Sequence, residues 1–259
     1  MRFIFLVANV FFSGALCVQA GDLGTVPDAL KQDIGKAGQT INGQKPADVP
    51  DFHLPFDSSV PPELRAQMLD DMAFMASIQG QHDENYRPRA STMHKEIFGP
   101  VSGSFYLDFF LARTRKISFD PSDKDSFLSA HMYYGPRQLM LYKHYTHHTI
   151  SQLDRLDCLI HEARHAERSD DPRFDGWQHS FCDIPFLDAN KREVRACDDT
   201  LKGGYGVTAV MFNNIARFCT NCTEKVRRDA QLIADDDIKR VNNPDNRKFI
   251  LQDIQSEDR

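Results

Sequence analysis

Residues 159–167 read LIHEARHAE, and how these nine residues are read decides what the rest of the chain must provide. They contain His161, Glu162 and His165 in the order His-Glu-x-x-His. On a helix of about 3.6 residues per turn, residues four apart leave the same face, so both imidazoles can hold one ion. Glu162 adjoins the first of them and can direct its carboxylate toward water on that ion. Two neutral imidazoles suit zinc, which lowers the pKa of bound water to about 7. A neighbouring carboxylate then takes the proton as the water attacks a carbonyl.

The flanks predict the helix that this chemistry needs. In HYTHHTISQLDRLDCLIHEARHAER, Thr149 or Ser151 suits an N-cap, acidic residues follow early, and Leu153, Leu156, Ile160 and Ala163 are spaced for burial. Upstream, the aromatic run SGSFYLDFFLARTRKISF reads as strands, and MYYGPRQLMLYKHYT as a hairpin turning at Gly135-Pro136. Earlier still, DSSVPPELRAQMLDDMAFMASIQ offers Ser58 or Ser59 as a cap, prolines in the first turn, and Leu64, Met68, Met72 and Met75 as a core-packing stripe. Downstream, VTAVMFNNIARF places Val207, Val210, Met211, Ile215 and Phe218 on one stripe, and TEKVRRDAQLIADDDIKRV predicts a further helix. Residues 21–60 carry no sustained apolar period and read as a disordered N-terminal arm. The expected architecture is therefore a single α+β domain over 61–259. It has a small sheet upstream of the motif helix and a mostly helical C-terminal half.

The first 20 residues, with Arg2, an apolar run and Val18-Gln19-Ala20, read as a signal peptide cleaved after Ala20. Leu16 is too large for the small-residue position that acylation of Cys17 would need. No later stretch approaches the roughly 20 apolar residues of a membrane span, so the expected product is secreted or periplasmic. The formal net charge of −6, which becomes −7 without Arg2, argues against nucleic acid as a partner. Five cysteines remain after cleavage, Cys158, Cys182, Cys197, Cys219 and Cys222, an odd number in an oxidising compartment. Cys158 lies on the apolar segment one turn before His161 and is expected to be reduced and buried. Cys182 can then pair with Cys197, and Cys219 with Cys222 as a structural rather than redox link.

With its HExxH helix and RQLMLYKHYT just before it, the chain resembles the zincin metallopeptidases over about residues 135–206. In those enzymes a strand upstream of the helix aligns an extended substrate. The resemblance implies a zincin-like fold, Zn2+ held by His161 and His165, Glu162 as general base, and a peptide or protein substrate. Arg164 departs from the small or apolar residue common there and is expected to point away from the metal. His144, His147 and His148 read as a solvated loop.

A catalytic zinc usually has three protein ligands and one open position. Three residues compete for the third place. His179, in DGWQHSFC, is separated from His165 by 13 residues, too far for the metzincin spacing. Glu193 could sit on a second helix as in gluzincins, although Cys197 stands where those families commonly have Asp. Asp198 opens DDTLKGGYG, a loose echo of aspzincins, and is the preferred candidate. If helix continued to Tyr205, seven residues on, the two would share a face and Tyr205 could steady an oxyanion. Gly203, Gly204 and Gly206 weigh against that continuity yet permit close backbone approach. A Cys182–Cys197 disulfide would bring the His179 loop beside Asp198, with one ligating and the other assisting. Trp177 and Phe181 are expected to pack this loop.

The favoured function is an exported zinc-dependent hydrolase, foremost a metallopeptidase. A non-catalytic exported binding protein with a structural ion or none, and a zinc amidase acting on cell-envelope polymers, are the alternatives. The leader reading is checked by intact mass of the exported product, expected to begin at Gly21; a lipid-modified Cys17 would overturn it.

Overall fold

The computed structural model describes residues 53–122, 129–167, 177–185, 187 and 191–256. The expected signal peptide and residues 21–52 of the expected arm lie outside them. In chain order the elements are α1 (Pro62–Ser77), α2 (Thr92–Ile97), α3 (Gly103–Arg113), β1 (Lys116–Asp120), β2 (Ala130–Tyr133), β3 (Gln138–Tyr142), a 3-10 turn (Lys143–Thr146), α4 (Gln152–His165), β4 (Ser180–Phe181), β5 (Arg195–Cys197), α5 (Gly204–Phe218), α6 (Glu224–Lys239) and α7 (Pro244–Ser256). The protein is mixed α/β with small sheets, and its C-terminal half is mostly helical.

The amphipathic stripe in α1 is buried as its spacing requires, at Leu64, Met68, Met72 and Met75. Its start differs from expectation. Pro61 is the N-cap without a side-chain hydrogen bond, and the Ser59 hydroxyl donates to Asp57 instead. The larger difference is at 102–113, where the expected strand is the helix α3. The near-continuous aromatic run hides a helical stripe that buries Tyr106, Leu107, Phe109 and Phe110 while Phe105 stays outside. A Cβ on Gly103 would collide with the backbone of Met75 and Ala76, so α3 can start against the end of α1 only with glycine there.

The expected hairpin forms as β2 and β3, antiparallel with Ala130 opposite Leu141 and Met132 opposite Leu139. Its turn covers 134–137, and Arg137 adopts φ 50°. Alternation buries Ala130 and Met132 and exposes His131 and Tyr133. β1 pairs parallel to the other side of β3, giving the order β1-β3-β2. Of the segment RQLMLYKHYT, expected to be the strand that aligns an extended substrate, Gln138–Tyr142 is the central strand, paired on both sides, and Lys143–Thr146 is the 3-10 turn. β2 is the sheet edge among the described residues, and it packs alongside α4. On the far side, residues 53–60 of the expected arm lie on β1 through a Phe56–Ile117 bridge, with Leu54 and Val60 buried.

The motif helix α4 starts with a full capping box. Ser151 Oγ accepts from the Asp154 N–H at 3.1 Å, and Asp154 Oδ2 accepts from the Ser151 N–H at 3.0 Å. Thr149, the other candidate cap, contacts His147. Leu153, Leu156, Leu159, Ile160 and Ala163 enter the core. Arg155 pairs at 2.7 Å with the fully buried Asp71, tying α4 to α1. β4 and β5 form a short antiparallel pair beside the Cys182–Cys197 disulfide, and Cys219–Cys222 closes the turn between α5 and α6. Cys158 is buried and forms no disulfide. Among the described residues no helix is long and apolar enough to cross a membrane.

Non-reducing peptide mapping should recover Cys182 with Cys197 and Cys219 with Cys222, while Cys158 is alkylated only after unfolding. A cross-link at Cys158 in the native protein would contradict this packing.

Candidate metal centre

The last two turns of α4 carry His161, buried at 2 % exposure, and His165, partly buried. The segment entering β4 delivers His179 from the other side. The three Nε2 atoms form a near-equilateral triangle with edges of 3.0 Å between His161 and His179, 3.2 Å between His161 and His165, and 3.1 Å between His165 and His179. Ligand nitrogens of a tetrahedral zinc, each about 2.0–2.1 Å from the ion, lie about 3.3 Å apart, so this triangle fits within a few tenths of an ångström. His161, His165 and His179 could together hold a metal ion.

The outer nitrogens determine what the inner ones offer. His165 Nδ1 donates to the Trp177 carbonyl, and His179 Nδ1 donates to Asp198 Oδ1 at 3.0 Å. A neutral imidazole has one proton, so in both rings it sits on the outside and the inward Nε2 presents a lone pair. Burial, then the nearby His179 and His165 and the Arg240 charge, holds His161 well below the ordinary histidine value. Burial, then His179, pushes His165 down to about 3 against the opposing Trp177 carbonyl. Both rings are therefore neutral at pH 7, as ligation needs. Convergent lone pairs repel unless a cation lies among them.

The third position differs from the sequence expectation. Asp198 is buried beside the site, but one oxygen holds His179 and the other, Oδ2, accepts the Tyr205 N–H at 2.7 Å. The disulfide does bring the His179 loop beside Asp198, and the imidazole takes the inner place. Asp198 and Tyr205 do not share a helix, because α5 begins only at Gly204. The carboxylate instead faces the first turn of α5, where free N–H groups and the helix dipole favour negative charge. The glycines serve close approach. A Cβ on Gly204 would lie 2.7 Å from the His161 ring, and one on Gly203 would run into the Asp198 carboxylate. Tyr205 forms a buried wall, its ring centroid 4.4 Å from that of His161 and 5.1 Å from that of His179.

Glu162 is buried at 4 % exposure in the turn between the two α4 histidines. Arg164 points elsewhere, as expected. Its Nε donates to the Lys202 carbonyl at 2.6 Å, it pairs with Glu167, and its guanidinium lies 4.5 Å from the Trp177 ring centroid. That contact steadies the residue whose carbonyl orients His165, a role for Trp177 that no sequence signal announced. Glu193 is exposed and bridged to Leu187, on no helix. His144, His147 and His148 stack among themselves on the surface. Their loop contributes no ligand to the three-histidine group.

The chain matches no protein-family model, no curated protein and no solved structure.

Competition titration with a chelator should show that His179→Ala weakens metal binding more than Asp198→Asn. Loss of a carboxylate that orients a ligand typically costs about 10–100-fold in affinity. The reverse ranking in folded variants would give the ligand role to Asp198.

Proposed function

We propose that the protein is an exported zinc-dependent hydrolase of zincin type, foremost a metallopeptidase, with Glu162 as general base. The observation that carries this reading is the outward hydrogen bonding of His165 and His179, which turns both Nε2 lone pairs toward His161. Zinc with three imidazole ligands keeps one position for water and lowers that water's pKa. The chain's own groups do the rest. Glu162, next to a ligand on the same helix, takes the proton from water and later delivers it to the leaving amine. Tyr205 packs against His161 and His179 and keeps bulk water off that side.

The sheet edge supports an extended substrate. Among the described residues β2 offers an unpaired ladder side beside α4, and it replaces the central β3 as the strand for backbone pairing. His131, exposed on β2, is held below the ordinary histidine value by partial burial and then by the nearby His179. Export is supported by two disulfides, which are consistent with an extracellular compartment.

Two variants separate metal binding from chemistry. Glu162→Gln preserves shape and both α4 imidazoles, so zinc content should stay while hydrolysis of a peptide library falls by about 10²–10⁴. His161→Ala should lose zinc and turnover together. Full activity in zinc-replete Glu162→Gln would remove Glu162 from the mechanism, and unchanged zinc in His161→Ala would remove the metal.

A further inference from the structure

We infer that Asp157 on α4 and Asp237 on α6 share one proton as a buried carboxyl–carboxylate pair, and that with Thr208 on α5 they lock three helices beneath the metal centre in a pH-dependent way. The three side chains are among the least accessible polar groups of the described chain, at 1 %, 2 % and 0 % exposure. The Asp157 and Asp237 carboxyl groups face each other within hydrogen-bonding reach. Two ionised carboxylates have no proton to donate and repel, so a hydrogen bond across this contact requires at least one proton between them. Thr208 Oγ1 lies 2.5 Å from Asp237 Oδ2, and 3.2 and 3.3 Å from the carbonyls of Gly204 and Tyr205. Asp157 Oδ1 is buried without a hydrogen-bond partner, a costly position for a charged oxygen and a cheaper one for half of a neutral acid.

The charged neighbours act in the same sense. Asp154 on α4 and Asp236 on α6 are both acidic, and α5 contributes the neutral Thr208. His161 stands one turn along α4 from Asp157, and Gly204, one turn before Thr208, abuts the His161 ring. Burial first, then Asp154 in the case of Asp157 and Asp157 itself in the case of Asp237, raises both carboxyls well above the usual range. The proton belongs to the pair rather than to either residue. Removing it to water leaves two facing carboxylates in a closed space, and their repulsion pushes α4 and α6 apart.

A folded-state pKa above the unfolded value gives stability that is complete below about pH 4, where unfolded aspartates titrate, and is lost as pH rises through the folded value. Each proton kept by the folded state and released on unfolding lowers the folding constant tenfold per pH unit. The buried His94, His161 and His165 are shifted down. They act with the opposite sign, below about pH 6.5, and are silent above pH 7.

Urea unfolding of the full chain from pH 5 to 9, with and without EDTA, tests the pair in wild type, Asp157→Asn and Asp237→Asn. An Asn amide donates to the remaining carboxylate as the neutral acid does, so either variant should flatten the decline by about tenfold in folding constant per pH unit. The difference should be the same with and without EDTA, so it stands even if the three histidines bind no metal. Identical slopes in wild type and variants would overturn the inference. So would calcium or magnesium raising the wild-type midpoint but not that of Asp157→Asn, because a cation would then occupy the pair. If neither variant folds, infrared spectroscopy of the wild type at pH 7 decides. A protonated-carboxyl stretch supports the pair, and its absence overturns it.

Discussion

Asp198 uses both carboxylate oxygens, and most of the geometry around the three histidines depends on that double use. Oδ1 holds the His179 ring by its outer nitrogen, and Oδ2 holds the first turn of α5 by the Tyr205 N–H. Its backbone is fixed as well. The Asp198 N–H donates to the Arg240 carbonyl at 2.8 Å, and its carbonyl accepts from the Asn242 N–H at 2.7 Å. The side chain is thus a rigid strut between the histidine and the helix whose glycines pack on His161. A carboxylate engaged in this way is worth more as an orienting group than as a ligand, because moving it inward would abandon two charge-assisted hydrogen bonds in a buried place.

A second constraint comes from covalent closure. His165 ends a helix and His179 enters a strand, so how near they come is set by long-range contacts of the chain that follows His179. The Cys182–Cys197 link and the β4–β5 pairing bring the residues after His179 against the residues before Asp198. His161 is buried, whereas His165 and His179 are partly exposed, so the group opens toward solvent on one side. An ion held there would be rigidly supported from beneath and reachable by water from above.

The sequence made legible whatever depends on short-range period or on a single cap. The α4 helix, its Ser151 cap, the hairpin at Gly135-Pro136 and the helices α5 and α6 follow from spacing within a few residues. Both disulfides followed once Cys158 was set aside by its place on an apolar helix face. The third member of the histidine group was not legible. His179 and Asp198 are brought side by side by contacts 15 to 19 residues apart in sequence, and nothing in either residue's surroundings says which faces inward. The α3 helix was hidden because six apolar residues crowd positions 105–111 and swamp the period. Residues 53–60 are too few to show a pattern, although Val60 is almost wholly buried. The Asp157–Asp237 pair was equally invisible, since two carboxylates 80 residues apart reveal their contact only in the folded chain.

The central claim is that three imidazoles, two of them held in the inward-lone-pair tautomer by outer hydrogen bonds, hold one ion. X-ray absorption at the metal edge of zinc-loaded protein reads this most directly, because ring carbons beyond the ligating nitrogen report the number of imidazoles. Three imidazoles and one light-atom ligand are the predicted shell. Two imidazoles with a protein carboxylate, or a hydrated ion without ring scattering, would contradict it.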